Sequence, residues 1–207
     1  MKILCVGYRD WAIQIYKNIL KRKNHKIFLH LKKTKLKKKI SKIKPDIILF
    51  YGWSWKIKKD IYEKYKSFML HPSPLPKYRG GSPLQNQIIS GEKNSAVTIF
   101  KINKVLDGGD IYFQKKMSLE GRLNQIFNRM VKIGTEGTLK ILDGKKIKII
   151  KQNHKKASFC KRRRPEESEI TLSEIKNKSA KYIYNKIRML EDPYPNAFIK
   201  LKKKNFL

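Results

Sequence analysis

The residues best suited to chemistry are one histidine and two aspartates in the stretch from Phe68 to Ile111. His71 precedes a turn rich in proline and glycine, and Asp107 and Asp110 flank a Gly-Gly pair. A histidine and a carboxylate in one cleft can share proton transfer, because imidazolium donates to a developing oxyanion while the carboxylate orients a nucleophile's proton or a water. Each residue alone also has a structural explanation, since a lone histidine is more often structural and Asp107 suits an Asx-turn. Only the joint pattern favours a site.

The elements that must position these residues begin with alternating strands and helices. Apolar runs at 2–7, 27–31 and 46–51 indicate buried strands, and helical spacing of apolar residues appears at 11–22 and 34–43. The order β-α-β-α-β predicts an α/β protein with a mostly parallel, Rossmann-like sheet. We expect Asp10 to cap the first helix and Ser82 to cap a later one.

Ligands of such sheets bind beyond the carboxyl ends of the strands. This rule places Gly7, Gly52, Trp53 and Ser54 at the binding edge. No GxGxxG follows the first strand, which argues against a dinucleotide cofactor.

The middle of the chain delivers the candidate residues to the same edge. A strand at 67–70 ends at His71, and a strand at 96–102 is followed by a partner strand from Ile111. This hairpin-like arrangement returns Asp107 towards His71. Further elements are predicted as helices at 58–66, 83–90, 123–142 and 179–190 and as a strand at 147–150.

Composition indicates a folded protein with a strongly basic surface. The chain has 207 residues, 40% of them hydrophobic, and 50 Lys+Arg against 16 Asp+Glu, which gives a net charge of +34. Such a charge attracts polyanions, although the abundance of lysine, isoleucine and asparagine is also explained by A/T-rich codons. Two cysteines, no signal-peptide pattern and no membrane-length apolar run predict a cytoplasmic protein without a membrane partner.

Several motifs resemble the formyltransferase family that uses N10-formyltetrahydrofolate. They are HPSPLPKYRGGSP from His71, GE at 91–92, VTI at 97–99 and DGGDI from Asp107. The resemblance implies a Rossmann-like formyltransferase fold and formyl transfer from that folate co-substrate to an amine. It also implies catalytic roles for His71, which would stabilise the oxyanion, and for Asp107, which would tune His71 and order a water.

The sequence departs from the family at one catalytic position. The family's site is an Asn-His-Asp trio, and the asparagine position is Met69 here. Methionine cannot donate a hydrogen bond to an oxyanion. Either another donor, such as Gln85, Asn86 or a backbone N–H, takes its place or catalysis is weakened.

The resemblance also implies binding residues. The folate would contact Gly52, Trp53, Ser54, Val105 and Leu106. Substrate contacts are predicted on the loop after the histidine, at Pro74, Tyr78, Arg79 and Gly80, with Arg79 as a phosphate contact. No metal site is predicted.

The acceptor is predicted from the tail, where RRRPEESEI and IRMLEDPYPNAF are similar to amino-sugar N-formyltransferases. The leading acceptor is therefore the amine of a nucleotide-linked 4-amino-4-deoxysugar. A methionyl-tRNA formyltransferase without its usual C-terminal domain is the alternative, because the chain ends early for that class. In that case the nucleic-acid partner is tRNA.

We expect two parts in the chain, a catalytic domain at 1–157 and a C-terminal extension at 158–207 that packs on it. Homodimerisation through the extension is possible. A third hypothesis is a non-catalytic scaffold that binds polyanions, which the loss of the asparagine and the +34 charge would suit.

Overall fold

The computed structural model of the protein describes residues 1–21, 25–144 and 147–200. A six-stranded sheet with helices on both faces forms its core. The strands are β1 (Lys2–Val6), β2 (Lys26–His30), β3 (Ile47–Phe50), β4 (Lys66–His71), β5 (Arg79–Gly80), β6 (Asn94–Lys101), β7 (Ile111–Ser118) and β8 (Phe159–Cys160). The helices are α1 (Asp10–Leu20), α2 (Leu36–Ile43), α3 (Lys59–Lys64), α4 (Pro83–Ile89), α5 (Leu123–Leu142), α6 (Leu172–Asn177) and α7 (Ala180–Arg188).

The strand order in the main sheet is β2-β1-β3-β4-β6-β7. β1 pairs in parallel with β2 and β3, and β3 pairs in parallel with β4. The pairs β4–β6 and β6–β7 are antiparallel. These pairings confirm the predicted α/β class with its mostly parallel sheet. β5 and β8 form a separate two-stranded parallel sheet.

Both faces of the sheet are buried, as its parallel half requires. In β1, Ile3 and Cys5 contribute to one apolar cluster, while Leu4 and Val6 contribute to the other. All four are fully buried. Successive side chains of a strand point to opposite faces, so the continuous apolar run of this strand matches a position between two helical layers.

Some local predictions are wrong, and competing contacts explain why. Asp10 is the first residue of α1 rather than its cap, and the cap position belongs to Arg9. Ser82 precedes α4 without capping it, because its hydroxyl accepts a hydrogen bond from the Arg163 backbone N–H. The predicted strand at 147–150 is reduced to one bridge between Ile150 and Ile111. The predicted end of the first helix, Arg22, lies outside the described residues.

The tail returns to the body of the protein through hydrogen bonds. The buried guanidinium of Arg188 donates to the carbonyls of Leu119 and Gly121 at 2.7 and 2.9 Å. Within the tail, Lys186 donates to the Glu174 carboxylate at 2.8 Å. Burial raises the pKa of Glu174, but the hydrogen bonds from Lys186, the Thr171 backbone and Tyr182 outweigh burial and lower this pKa to about 2. The predicted domain boundary between residues 157 and 158 stays a prediction.

Among the described residues, no helix combines the length and apolar character needed to cross a membrane.

The carboxyl ends of β1 and β3 are joined by one buried hydroxyl, that of Tyr16 in α1. It lies 2.9 Å from the Val6 carbonyl and 3.0 Å from the Leu49 carbonyl, and it accepts a hydrogen bond from the Tyr51 backbone N–H at 2.9 Å. Tyr16 is fully buried, and burial raises its pKa well above the ordinary value. The hydroxyl therefore fixes the sheet edge from which the loops at Gly7 and Gly52 leave.

Replacing Tyr16 by phenylalanine is expected to destabilise the protein. The Tyr51 N–H keeps a bond of 3.1 Å to the Val6 carbonyl, so the substitution removes the hydrogen bonds of the hydroxyl without leaving that N–H unpaired. The expected cost is about 1 kcal/mol. Chemical denaturation of Tyr16→Phe measures the loss of unfolding free energy. The exposed Tyr184 provides the control, since Tyr184→Phe should stay within about 0.5 kcal/mol of the wild type. Equal stability of the two variants would contradict this role for the hydroxyl.

Candidate active site

His71 is the last residue of β4, and its ring lies at the edge where the parallel strands end. The side chain is buried, and Nε2 is 2.8 Å from the backbone carbonyl of Tyr78. A carbonyl only accepts, so Nε2 carries a proton and donates it. Nδ1 is thereby left to face Asp107, whose Oδ2 lies 3.7 Å away. That separation exceeds a hydrogen bond.

Asp107 occupies the turn between β6 and β7 in a left-handed conformation, with φ of 46°. Its Oδ2 accepts a hydrogen bond of 2.8 Å from the Gly80 backbone N–H. The side chain is 8% exposed. The carboxylate thus approaches His71 from a segment 36 residues further along the sequence, as the predicted hairpin requires.

The turn is compact enough to require glycine after Asp107. A Cβ on Gly109 would lie 1.7 Å from the Lys101 carbonyl oxygen. No side chain fits at that distance. The DGGD motif is therefore explained by a close backbone approach as well as by its carboxylates.

A cavity of about 800 Å³ opens beside His71 and Asp107. The cavity is lined by all five residues predicted to contact folate, namely Gly52, Trp53, Ser54, Val105 and Leu106. Trp53 packs between Phe50 and Trp55, with ring centroids 6.3 and 4.6 Å away. The structure therefore brings the predicted catalytic pair and the predicted folate contacts to a single cavity of the size that small-molecule sites have.

The predicted substrate residues are only partly brought there. Gly80 lines the cavity, whereas Pro74, Tyr78 and Arg79 lie outside its lining. Tyr78 supplies its backbone carbonyl to His71, and its hydroxyl donates to Glu92. Burial and the Glu92 hydrogen bond raise the pKa of Tyr78 to about 12.

Arg79 corrects the prediction of a phosphate contact. Its side chain is 1% exposed, and Nη2 donates to the side-chain oxygen of Gln152 at 2.6 Å. Both terminal nitrogens also lie 3.2 Å from Nδ1 of His154. Burial lowers the pKa of the guanidinium, while the Asp107 charge acts in the opposite direction. The structure therefore places this guanidinium against Gln152 and His154 and outside the cavity lining.

Met69 lines the cavity, so the missing asparagine leaves a thioether beside the candidate pair. Asn86 cannot replace the lost donor, because its amide nitrogen binds the carbonyls of Gly81, Ser82 and Lys161. Gln85 does line the cavity. Its atom without a hydrogen-bond partner within the described residues is Oε1, which is an acceptor and cannot replace the lost donor. Of the two side chains considered as substitutes, only Gln85 lines the cavity.

Sequence reasoning missed part of the lining. Arg9, Arg162, Arg163 and Arg164 bring positive charge to the cavity, and Tyr194 lines it from the tail. From the sequence alone, the arginines of the tail suit a solvated basic run and Tyr194 suits a packed turn, so neither predicts a contact with the cavity. The signal that could have located them was the dense run of arginine, which binds phosphate and carboxylate groups in bidentate geometry.

The Cys160 thiol lies behind the candidate pair. Its sulfur lies 3.1–3.6 Å from the backbone carbonyls of Tyr78, Arg79 and Gly81, and its single S–H proton is donated to one of them at a time. Burial, reinforced by the Asp107 charge, raises the pKa of Cys160 to about 11. The thiol is therefore protonated at neutral pH. Within the described residues, no cluster of three or more His, Cys, Asp or Glu side chains could hold a metal ion.

Two family models match the chain. The model described as formyl transferase matches residues 9–142. A second, described as the C-terminal domain of methionyl-tRNA formyltransferase, matches residues 165–206.

Individual proteins agree with these matches. The methionyl-tRNA formyltransferase of Rickettsia massiliae (strain Mtu5) is 35% identical over 164 residues, which cover 77% of this chain and 53% of the relative. The bifunctional polymyxin resistance protein ArnA of Wigglesworthia glossinidia brevipalpis is 35% identical over 166 residues, 77% of this chain and 25% of ArnA. The solved methionyl-tRNA formyltransferase from Clostridium thermocellum superposes with a TM-score of 0.87 at 35% identity, covering 98% of this chain and 89% of that one. The chain spans about half the length of the curated methionyl-tRNA formyltransferases that it matches.

The reactivity of Cys160 is expected to report the charge of Asp107. A thiol with a pKa of about 11 presents about a hundredth of the thiolate of an ordinary cysteine near pH 8. Iodoacetamide should therefore label Cys160 in the native protein about 10²-fold more slowly than a free thiol. Asp107→Asn keeps a side-chain acceptor for Gly80 but removes the charge, so labelling should become faster.

Peptide mass spectrometry distinguishes Cys160 from the fully buried Cys5. Asp110→Asn is the matched control, because Asp110 belongs to the same turn but not to the cavity lining. An unchanged labelling rate in Asp107→Asn would show that Asp107 carries no charge near the thiol.

Proposed function

This chain belongs to the formyl transferase family, and on that premise we propose that it transfers a formyl group from N10-formyltetrahydrofolate to a primary amine. The observation that carries the proposal is the pairing of His71 with Asp107 beside the 800 Å³ cavity. Trp53, Val105 and Leu106 of the same cavity present apolar surface against which the ring system of a folate can pack.

The geometry assigns different work to the two nitrogens of His71. Nε2 is occupied by the Tyr78 carbonyl, so Nδ1 is the nitrogen that faces reacting groups. When His71 is an imidazolium, Nδ1–H donates to the oxyanion that forms as the amine attacks the formyl carbon. The Asp107 carboxylate stabilises the charge on this ring.

The proton of the attacking amine needs an acceptor. Oδ2 of Asp107 is used by Gly80, so its other oxygen can hold a water that takes this proton. The new C–N bond to the acceptor forms, and the bond between the formyl carbon and N10 then breaks. The proton returned to N10 completes tetrahydrofolate and the N-formyl product.

Methionyl-tRNA is the acceptor that we propose first. The curated relatives with this name, and the match of residues 165–206 to a methionyl-tRNA formyltransferase domain, support it over the amino sugar expected from the tail. The arginines that line the cavity would attract the phosphates of a tRNA.

A nucleotide-linked 4-amino sugar, expected from the RRRPEESEI and IRMLEDPYPNAF segments of the tail, is the second candidate, although most of each segment lies in the region that matches a methionyl-tRNA formyltransferase domain. Its diphosphate would be attracted by the same arginines. The charge of the cavity therefore does not discriminate between the two acceptors, and a direct assay must.

The assay supplies purified protein with N10-formyltetrahydrofolate and, in parallel, methionyl-tRNA or a panel of nucleotide-linked 4-amino sugars. We expect tetrahydrofolate release and an N-formyl product with methionyl-tRNA. His71→Ala and Asp107→Asn should each lower kcat by at least about 10²-fold, because each removes stabilisation of the transition state.

Asp110→Asn serves as the control, because Asp110 belongs to the same turn as Asp107 but does not line the cavity, and its kcat should stay within about two-fold of the wild type. Turnover with an amino sugar alone would reverse the order of the acceptors. Binding of RNA with steep salt dependence and no turnover on any acceptor would favour the polyanion-binding scaffold instead.

A further inference from the structure

The turn that carries Asp107 is held from behind by the side chain of Gln152. Its amide nitrogen donates to the carbonyl of Asp107 at 2.9 Å and to the carbonyl of Gly109 at 2.7 Å. Gln152 is buried and lies outside the cavity lining. It therefore contacts the backbone of the turn and not a ligand.

Arg79 determines which end of the Gln152 amide faces the turn. The guanidinium only donates hydrogen bonds, so the partner 2.6 Å from its Nη2 must be the oxygen of Gln152. The NH₂ group of Gln152 then has to face the two carbonyls, which accept. Arg79 is itself fixed by burial and by His154.

The turn needs such support because its backbone is strained. Asp107 has a positive φ of 46°. This backbone conformation is unfavourable for a residue other than glycine, and it is kept only where surrounding contacts hold the backbone in place. Two of these contacts are the bonds from Gln152. A third is the bond from the Gly80 N–H to the carboxylate itself.

We propose that Gln152 is a positioning residue for the transfer reaction, which sets the Asp107 carboxylate against His71, and that Arg79 orients Gln152 for this task. The proposal rests on the proposed function for its kinetic consequence. Its structural consequence, the placement of the Asp107 carboxylate, can be measured without activity. The proposal also assigns the buried Arg79 a structural role, which is to orient the Gln152 amide.

Two substitutions of Gln152 distinguish its contact with Arg79 from its contacts with the Asp107 turn. Gln152→Leu removes the bonds to Arg79 and to the turn. Gln152→Glu keeps an acceptor for Arg79 but replaces the amide NH₂ by an oxygen, which repels the carbonyls of Asp107 and Gly109. Both variants should lower kcat by about 10- to 100-fold, because misplacing a catalytic group by about 1 Å has effects of this size. KM for the folate should change by less than about two-fold, because Gln152 does not line the cavity.

Gln114→Leu is the matched control. The Gln114 amide also donates to two acceptors, the Leu75 carbonyl and the Thr98 hydroxyl, at 3.0 and 2.9 Å. It lies outside the cavity lining and does not contact the Asp107 turn. Its kcat should stay within about two-fold of the wild type, and its loss of stability should be smaller than that of Gln152→Leu, because Gln114 is exposed and Gln152 is buried.

A second readout follows the Gly80 amide by hydrogen exchange in NMR spectra of ¹⁵N-labelled protein. This N–H donates to Asp107, so its protection reports where the carboxylate lies. Protection should fall at least tenfold in Asp107→Ala, Gln152→Leu and Gln152→Glu, and it should persist in Gln114→Leu.

The two readouts distinguish failure of this inference from failure of the proposed function. Loss of Gly80 protection in both Gln152 variants supports the positioning role even if the wild type transfers no formyl group. Wild-type protection together with wild-type kcat in Gln152→Glu would overturn it, since that variant cannot donate to the turn. If Gln152→Leu fails to fold, Gln152→Glu and Arg79→Lys decide, and unchanged Gly80 protection in both would overturn the inference.

Discussion

One hydrogen bond, from the Gly80 N–H to the Asp107 carboxylate, connects the parts of the candidate site. Gly80 belongs to the loop whose Tyr78 carbonyl holds the His71 ring, so the same short segment fixes both members of the pair. Gln152 and Arg79 then secure the Asp107 turn from the side opposite the cavity. The 3.7 Å between Nδ1 and Oδ2 is therefore set by three separate stretches of chain.

The sheet determines why these stretches meet. β1, β3 and β4 run in parallel, so their carboxyl ends share one edge, and His71 is delivered there as the last residue of β4. β6 runs antiparallel to β4 and ends opposite Phe68, so the loop that follows β6 folds back to bring Asp107 to that edge. Tyr16 secures the ends of β1 and β3, from which the cavity wall at Gly52 and Trp53 continues.

The sequence was informative where a single periodicity decides the structure. The predicted bounds of α5 match those observed, and β7 begins at Ile111 as expected. Prediction failed where a polar side chain had to choose among distant partners. Arg79 was predicted to contact a phosphate, but its hydrogen-bond partner Gln152 is 73 residues away in the sequence. No local sequence pattern indicates that these two side chains pair. Likewise, the hydroxyl of Ser82 pairs with a backbone group in the distant tail instead of capping α4.

The most direct test of the account is a crystal structure of this protein with 5-formyltetrahydrofolate, a stable analogue of the proposed co-substrate. We predict that the ring system lies against Trp53, Val105 and Leu106. We also expect the N5–N10 region of the analogue to lie within about 4 Å of Nδ1 of His71, with Asp107 still bonded to Gly80. A folate bound elsewhere, or bound with Asp107 released from Gly80, would contradict the assignment of this cavity and pair as the transfer site.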